Sequence, residues 1–419
     1  MSDAHNPLAG IRVTDLSRVL AGPYATMLLS DLGAEVVKVE HPGTGDDTRA
    51  WGPPWAQPAD DTSTAAPQAA YYLSVNRGKR SLAVDMKHPD GLAAVRELCN
   101  SSHIVIQNFR PGTAERLGLG YTELSSRNPA LVYCSISGFG PNHDPPARPG
   151  FDVVVQAESG LMSVTGPADG EPSKVGVAIT DVLTGLNAAV AILGALTQAQ
   201  ATGVGAHVSA SLINSALSGL VNVSQHALVT GEEPQRQGNA HAAIVPYQAF
   251  PTADTELVIA AGNDALYQRL CAVLGRDDLA GDPRYATNSD RVAHRAELTA
   301  ELSAEFRRRP AAEWTKLLVA AGVPVGQVRG VLDAIRTADA VGDAATMTVQ
   351  HPQLGALELI RPGFRLGSGE PTETGAEVAA PAPPLLGQHS REILCELGWS
   401  RDRIAALLHD GALGVADVD

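Results

Sequence analysis

Short apolar runs alternate with helical patterns through the first part of the chain. The runs rich in Val, Ile and Leu cover residues 11–16, 34–40, 81–86, 103–109 and 130–139. Helical spacing of apolar residues separates the later runs, most clearly over 89–100 and near 112–118. Buried strands that alternate with helices are typical of a parallel sheet with helices on both faces. The pattern therefore predicts an α/β fold with a Rossmann-like large domain.

The first strand–helix–strand unit departs from the usual dinucleotide-binding pattern. The strand IRVTDL leads to a turn at AGP, where Pro23 suits the first helical position because its missing N–H needs no partner there. The helix is expected to end at Gly33, just before the strand AEVVKVE. This unit contains no GxGxxG motif, so an ordinary dinucleotide site is not expected.

The pattern changes beyond residue 150 and predicts a second domain. Helical sequence fills 151–200, and a strand-like run follows at 206–212. Between 240 and 335, a hairpin pattern and several charged helices predict a smaller α+β domain. The large domain is predicted over 1–225 and is completed by 345–419. Segments rich in Pro and in small or polar residues predict loops at 50–70 and 141–150 and a disordered stretch at 373–384.

Composition and charge narrow the class of protein. The chain has 419 residues, 41 of them glycine, and a formal net charge of −15, which disfavours binding to nucleic acid or to an anionic membrane. The best apolar candidate for a membrane span, 182–196, is shorter than the ~20 residues required. The N-terminus lacks a secretory pattern. Four scattered cysteines have no metal-ligand spacing, which predicts reduced thiols, no metal site and a cytoplasmic protein.

Asp181 is the strongest candidate for a catalytic group. It follows the run KVGVAIT, which is predicted to be a strand ending at Thr180, and it precedes an apolar helix. One interpretation makes Asp181 the N-cap of that helix. The other makes it a reactive carboxylate that the helix N-terminus holds ionised, beside free N–H groups that can also stabilise an oxyanion.

Several sequence blocks spread along the chain are specific in combination. They are LSRVLAGPYATMLLSDLGAEVVKVEHPGTGDDTR at 16–49, YYLSVNRGKRSLAVDMK at 71–87, IQNFRPGTAERLGLGY at 106–121, CSISGFG at 134–140, GNAHAAIVPYQAF at 238–250 and PPLLGQHS at 383–390. Together with the Asp181 segment, these blocks resemble the family III CoA-transferases, the formyl-CoA transferase group. Within that family, LAGPYATM, GDDTRAWGPP, YYLSVNR and IVPYQAF are most similar to the dicarboxylate CoA-transferases that use succinyl-CoA and glutarate.

This resemblance implies a function, an assembly and a set of binding residues. It implies transfer of CoA from an acyl-CoA to a small carboxylic acid through an aspartyl anhydride and an aspartyl-CoA thioester, with Asp181 as the nucleophile. It also implies an interlocked homodimer, and CoA enters as a substrate with no permanently bound cofactor. The positions that it assigns to CoA are Arg18, Leu20, Ala21, His41, Val84, Lys87, Asn108, Phe109, Arg110 and Arg116. His41 stands where the family often has Arg, and Leu20 stands where formyl-CoA transferase has Gln.

A dicarboxylate acceptor also needs a cation for its second carboxylate. The candidates are Arg18, Arg49 and His241, and Arg18 is expected to lie closest to the thioester. The other interpretation of Arg49 is a surface ion pair with Asp46 or Asp47.

Two other functions remain open beside the transferase. Acyl-CoA racemases share the resemblance but carry a GHD motif where this chain has GFD, formed with Phe151 and Asp152 beside the expected substrate position. Phe151 cannot move a proton, which weighs against a racemase. The second alternative is a CoA-binding protein without catalytic activity.

Overall fold

The computed structural model describes residues 6–60, 65–140, 148–342, 345–366 and 380–416. Contacts between residues divide the chain into two units. The first contains Met1–Leu161, Val175–Gly231 and Ala344–Asp419, and the second contains Met162–Lys174 and Glu232–Asp343. Residues 162–174, which the sequence pattern places in the large domain, therefore group with the second unit.

In the described residues, strands and helices alternate in the first part of the chain, and runs of several helices separate the later strands. The strands are β1 (Arg12–Asp15), β2 (Glu35–Glu40), β3 (Trp55–Ala56), β4 (Gln68–Ala69), β5 (Lys79–Val84), β6 (Ile104–Gln107), β7 (Val132–Ser137), β8 (Ala206–Ser211), β9 (Tyr247–Pro251), β10 (Glu256–Ala260), β11 (Val325–Gln327), β12 (Thr346–His351), β13 (Gly355–Ile360) and β14 (Leu413–Gly414). The α-helices are α1 (Ala21–Asp31), α2 (Ala70–Val75), α3 (Pro89–Asn100), α4 (Thr113–Arg116), α5 (Tyr121–Arg127), α6 (Asp152–Glu158), α7 (Leu161–Val164), α8 (Ile179–Thr202), α9 (Leu212–Gly219), α10 (Asn222–Thr230), α11 (Asp264–Leu274), α12 (Asp277–Ala280), α13 (Asn288–Ala293), α14 (Arg295–Phe306), α15 (Ala311–Ala320), α16 (Val331–Ala340), α17 (Ser390–Glu396) and α18 (Arg401–His409).

A seven-stranded sheet forms the centre of the first unit, in the order β14-β5-β2-β1-β6-β7-β8. The six strands β5, β2, β1, β6, β7 and β8 each pair in parallel with their neighbours in the sheet. Only the short β14 is antiparallel, and it pairs with β5. The α/β class and the mostly parallel sheet are therefore confirmed. The strand order reverses between β1 and β6, because β2 and β5 extend to one side and β7 and β8 to the other. Open α/β sheets bind ligands at the carboxyl ends of the strands at such a switch point.

Alternation along the strands explains why both sheet faces are covered. On β6, Ile104 and Ile106 face one side and pack with α1, α8 and α9, while Val105 faces the other side. That second side packs against α3, α17 and α18. Successive strand residues point to opposite faces, so a strand with apolar residues at every position needs a helical layer on each face.

Helix α8 approaches the start of α1 at a glycine. A Cβ atom on Gly185 would lie 2.7 Å from the carbonyl oxygen of Ala21, so a larger residue would push the two helices apart. Asp181 lies four residues before Gly185 and shares its helix face. The close contact therefore brings Asp181 next to the residues that follow β1.

The second unit combines a small antiparallel sheet with helices. Strands β9, β10 and β11 pair in the order β11-β10-β9, and β9 with β10 forms the hairpin that the sequence predicts. Apolar residues of α11, α14 and α15 form one buried core with this sheet, around Phe250, Leu270, Leu302 and Trp314.

The segment before Asp181 is the main local difference from the sequence-based expectation. Residues 171–178 contain no strand, and α8 begins at Ile179 with Ala178 at the N-cap. The N-cap interpretation of Asp181 is therefore wrong, since this residue lies in the first turn. The backbone of the segment bonds to a side chain instead of a neighbouring strand: the Val175 N–H donates to Gln156 Oε1, and Gln156 Nε2 donates to the Val177 carbonyl.

Other differences are smaller. Residues 50–70 contain the short antiparallel pair β3–β4, while most of the loop predicted at 141–150 and of the stretch at 373–384 lies outside the described residues. Helix α8 has 24 residues and contains the whole apolar stretch 182–196, and within the described chain it alone is long and apolar enough to cross a membrane. Core helices of water-soluble proteins meet the same criterion, and 39% of the apolar window of α8 is buried inside the protein.

Candidate active site

A cavity of about 250 Å³ lies at the switch point of the sheet. Its walls come from the carboxyl ends of three neighbouring parallel strands, namely Arg18, Val19 and Ala21 after β1, 108–111 after β6, and Ser137 at the end of β7 with 138–140 after it. Residues 148–151 before α6 and Asp181 of α8 complete the lining, with Ile136 and Leu212. The cavity therefore lies where the topology of the sheet places a ligand.

Asp181 is a partly buried carboxyl group in the wall of this cavity. Burial, together with the negative charge of Asp152, raises the pKa of Asp181 to about 7, while the nearby backbone N–H of Ala21 acts in the opposite direction. The helix N-terminus therefore does not keep the pKa of Asp181 at its ordinary value, because burial outweighs the favourable dipole. Carboxyl groups whose pKa lies near neutrality are concentrated at functional sites.

Asp152 is fixed beside the start of α8. Its Oδ1 accepts hydrogen bonds from the Thr180 backbone N–H at 2.8 Å and from Thr180 Oγ1 at 2.7 Å. Its Oδ2 accepts from Gln156 Nε2 at 2.6 Å. Asp152 thus links the start of α6 to the first turn of α8, and its charge is held close to Asp181.

Tyr71 is a site residue that the sequence did not single out. Burial raises the pKa of Tyr71 to about 12, and the negative charges of Asp181 and Asp152 contribute to the rise. Its hydroxyl group therefore stays protonated at neutral pH. Tyr71 packs in the same small apolar cluster as Val19 and Val182 and is not itself in the cavity lining. The block YYLSVNR contains Tyr71, but nothing local in that block connects it with Asp181, which follows more than a hundred residues later.

Three arginines line the cavity, namely Arg18, Arg110 and Arg148. Arg18 Nη1 lies 3.1 Å from Asp47 Oδ2, and the Arg18 side chain is 56% exposed. Arg148 pairs with Glu158, and its guanidinium lies over the ring of Phe139, 4.5 Å from the centroid. Arg148 follows a Pro-rich segment and carries no sequence signal of a site.

Several of the predicted CoA positions follow neighbouring strands along one edge of the sheet. Lys87 follows β5, His41 follows β2, Arg18 follows β1 and Asn108 follows β6, and these strands are adjacent in the order β5-β2-β1-β6. Lys87 and His41 are exposed. An extended ligand whose reactive end lies at Asp181 can therefore meet this series of side chains along the carboxyl edge of the sheet.

Comparison with known proteins agrees with this architecture. The family model of CoA-transferase family III matches residues 8–390. The chain belongs to CoA-transferase family III. It is 41% identical over 412 residues to the succinyl-CoA:glutarate CoA-transferase of Mus musculus, covering 98% of this chain and 91% of the relative. It is 40% identical over 405 residues to the succinate–glutarate CoA-transferase of Agrobacterium fabrum, covering 95% and 98%.

A solved structure shows that the likeness extends to the fold. A CAIB/BAIF family protein from Brucella suis matches with a TM-score of 0.80 and 38% identity, over 94% of this chain and 100% of that chain. The resemblance to family III CoA-transferases that the sequence blocks indicated is thereby confirmed.

Not every position that the family resemblance assigns to CoA lines the cavity. Phe109 and Arg110 do, together with Ala21 and Asn108. Leu20 is buried in a small core with Met27 and Val75, and Val84 is a buried residue of β5 that pairs with Leu413. Arg116 lines a separate cavity of about 330 Å³, which also contains Arg96, Glu115 and Arg127. CoA contacts at Leu20, Val84 and Arg116 stay predictions.

Arg49 has a structural environment that neither sequence interpretation describes. Its guanidinium donates to both carboxylate oxygens of Glu40, at 2.7 and 2.9 Å, and to the hydroxyl of Tyr72. It also lies over the Tyr72 ring, 3.7 Å from the centroid. The partner is thus Glu40 and not Asp46 or Asp47, and Arg49 is absent from the lining of the active-site cavity. With its donors occupied by buried partners, Arg49 supports the fold and is a poor candidate for substrate binding.

His241 lies in the second unit. Its Nδ1 accepts a hydrogen bond from the Ala243 N–H at 3.1 Å, and its ring tilts against Tyr247 at 5.4 Å between centroids. Arg295 Nη2 donates to the carbonyl oxygens of His241 and Ala242. A contact between His241 and the acceptor stays a prediction.

Proposed function

We propose that the protein transfers CoA from succinyl-CoA to a small dicarboxylic acid, with Asp181 as the covalent nucleophile. The observation that carries this proposal is the carboxyl group of Asp181 in the wall of the cavity, in a chain that belongs to CoA-transferase family III. The substrate class is supported by two relatives at about 40% identity, whose names specify succinyl-CoA with glutarate and succinate with glutarate.

The first half of the reaction releases the donor acid. An Asp181 carboxylate oxygen attacks the thioester carbonyl of succinyl-CoA, and the C–S bond breaks to give a mixed anhydride and the CoA thiolate. The thiolate then attacks the Asp181 carbonyl carbon, and the anhydride C–O bond breaks. This step forms an aspartyl-CoA thioester and frees succinate.

The second half repeats these steps in reverse with the acceptor. A carboxylate of the acceptor attacks the aspartyl thioester, which forms a new anhydride and releases the thiolate again. The thiolate attacks the acyl carbon of the acceptor, so that acceptor-CoA forms and the Asp181 carboxylate is regenerated. Each step exchanges one activated acyl bond for another, so no external energy source is required.

The surroundings of Asp181 suit this sequence of steps. The Ala21 N–H acts on the Asp181 carboxyl group and lowers its pKa, and a fixed backbone donor can stabilise the oxyanion that forms when the thiolate attacks this carbon. Phe151 in the cavity lining is apolar and has no proton to exchange, which favours transfer over racemisation.

A direct assay tests the proposed activity. Succinyl-CoA is incubated with the protein and with glutarate, oxalate, malate, mesaconate or itaconate, and new thioesters are identified by liquid chromatography and mass spectrometry. We expect at least one dicarboxyl-CoA product together with an equal amount of succinate. Free CoA and succinate without a new thioester would show a hydrolase, and no turnover with any acid of the panel would contradict the proposal.

We also propose that two copies of the chain form the functional homodimer. Helix α10 contains no buried residue, and Leu228 and Val229 on it are 79% and 74% exposed. On α8, Leu186 and Val190 are likewise exposed. Apolar helix faces of this kind need a covering surface, and a second copy supplies one. A folded monomer in sedimentation at micromolar concentration would contradict the dimer.

The pKa of Asp181 leads to a pH-dependence prediction. Only the ionised carboxylate is nucleophilic, so kcat/KM of the wild type should fall below about pH 7, where Asp181 takes up a proton. Asp152→Asn removes a negative charge that raises this pKa, so the acid limb should move to lower pH. The measurement is a pH profile of kcat/KM between pH 5 and 9. If the acid limb of the kcat/KM profile of Asp152→Asn stays at the wild-type pH, or moves to higher pH, Asp152 does not act on the nucleophile through its charge.

A further inference from the structure

The loop between β1 and α1, residues Ser17–Leu20, is held by buried charged side chains. Asp15 Oδ1 accepts a hydrogen bond from the Ser17 N–H at 2.9 Å, and Lys38 Nζ donates to the Ser17 carbonyl at 3.0 Å. Asp46 accepts from the Val19 N–H, with 3.3 Å to each carboxylate oxygen. Asp15, Lys38 and Asp46 are all buried. The path of this loop is therefore imposed from the protein interior.

Val19 has a backbone conformation that its side chain disfavours. Its φ angle is 72°, in the left-handed region where a β-branched residue is a clear outlier. The carboxylate that accepts the Val19 N–H is itself fixed. Asp46 lies 2.7 Å from Lys38 Nζ, and its Oδ1 also accepts from the N–H and Oγ1 of Thr48 at 2.9 and 2.8 Å.

The strained residue lies two positions before a backbone donor that acts on the nucleophile. The Ala21 N–H lowers the pKa of the Asp181 carboxyl group, and Ala21 and Asp181 line the same cavity. On the other side, the Arg18 N–H donates to Asn108 Oδ1 at 3.0 Å, and Asn108 Nδ2 donates to the Arg18 carbonyl at 2.8 Å. The two peptides that precede Val19 are thus anchored, and the Leu20 carbonyl accepts from the Tyr24 N–H inside α1, so the φ angle of Val19 determines the direction in which the chain enters α1.

We propose that Asp46 and Lys38 are positioning residues for CoA transfer, because their buried pair holds Val19 in the left-handed conformation that orients the Ala21 N–H toward Asp181. This inference rests on the proposed role of Asp181. Neither Asp46 nor Lys38 lines the cavity, so their effect reaches the reacting atoms through the backbone.

The test removes the charge of Asp46 and then relieves the strain at Val19. Asp46→Asn should lower kcat about tenfold at pH 8.5, while the Kd for CoA changes less than about twofold. Adding Val19→Gly should restore kcat by about threefold or more, because glycine adopts a positive φ without cost. Val19→Ala is the matched control: it also removes the isopropyl group but keeps the Cβ atom that disfavours this conformation, so it should restore nothing.

Each outcome decides for or against the positioning role. An unchanged kcat in folded Asp46→Asn, or equal recovery with Val19→Gly and Val19→Ala, would overturn it. If Asp46→Asn fails to fold, Thr48→Val removes only the hydroxyl donor of Asp46 and should lower kcat about threefold, with recovery by Val19→Gly alone. A folded Thr48→Val protein with wild-type kcat would then overturn the proposal.

A second readout separates this inference from the proposed function. The pKa of Asp181 is measured by carboxyl-carbon NMR, with the signal assigned from Asp181→Asn. If Asp46→Asn misplaces the Ala21 N–H, the pKa of Asp181 should rise, because a donor that stabilises the ionised form is lost while burial and the negative charge of Asp152 remain. A simple loss of the Asp46 charge would lower the pKa instead and would contradict positioning. This result holds whether or not the wild type transfers CoA to a dicarboxylate.

Discussion

Asp181→Asn should abolish CoA transfer while the protein stays folded and still binds CoA. The amide has nearly the same shape, and its carbonyl oxygen can still accept the Ala21 N–H, but it cannot attack a thioester or form an anhydride. We expect kcat to fall at least about a thousandfold, as is typical when a covalent nucleophile is removed. The measurement is dicarboxyl-CoA formation from succinyl-CoA, with CoA affinity from calorimetry. Residual transfer above about a thousandth of wild type would show that another group is the nucleophile.

A stability measurement and a matched variant exclude misfolding as the cause. The folded state holds the Asp181 proton with a pKa of about 7 against an ordinary 3.8, so ionisation in the folded protein costs up to about 4 kcal/mol. The wild type therefore loses stability as the pH rises from about 4 to 7, and Asp181→Asn should be more stable than wild type at pH 8 and equal to it near pH 4. Asp402→Asn changes an exposed carboxylate in the first turn of α18 and should alter neither activity nor this pH dependence.

Arg18→Ala should raise the KM for a dicarboxylate acceptor by one to two orders of magnitude. Arg18 lies in the cavity lining and is the cation that we propose for the second carboxylate. Loss of a charged hydrogen bond of about 1.5–3 kcal/mol accounts for this range. The measurement compares glutarate with pentanoate, an acid of the same length that lacks the second carboxylate, and the use of pentanoate should scarcely change. Equal losses for both acids would show that Arg18 serves CoA or the fold.

Asp47 provides the matched control for this prediction. In the free protein Arg18 pairs with Asp47 at 3.1 Å, so the acceptor must replace that partner to bind the guanidinium. Asp47→Asn removes the competing carboxylate and should leave the KM for glutarate unchanged or lower it. A KM for glutarate that rises in Asp47→Asn would mean that the ion pair itself builds the acceptor site.

The elements that the sequence predicted well are those whose signal is local. Helix α3 spans Pro89–Asn100, as the apolar spacing predicts, and the β9–β10 hairpin forms from neighbouring residues. The strand predicted for KVGVAIT, residues 174–180, does not form, because its signal is also only local. Its Val residues suggest a strand, but Gln156 occupies the backbone groups that a neighbouring strand would need, and no pattern within the run reveals this partner.

For the charged residues of the site, the sequence likewise predicted what depends on neighbouring residues and missed what depends on distant partners. Asp181 stands out in the sequence because it opens an apolar helix and sits in a block that resembles the family. Its pKa near 7 depends on burial and on Asp152, which lies on another helix. Arg49 seemed to face Asp46, Asp47 or substrate, yet it pairs with Glu40 at the end of β2. A charged residue on a loop can reach several partners, and only the packed strands decide among them.

By itself, the sequence determined the α/β class, the membership of CoA-transferase family III and the candidate nucleophile. These follow from the pattern of buried faces along each strand and from blocks of neighbouring residues. Only the tertiary structure decided the first-turn position and raised pKa of Asp181, the presence of Tyr71 beside it and the anchoring of the β1–α1 loop by Lys38 and Asp46. The physical reason is that electrostatic and hydrogen-bond energies depend on distance in space and on exclusion of water, and both are set by contacts between residues far apart in the chain.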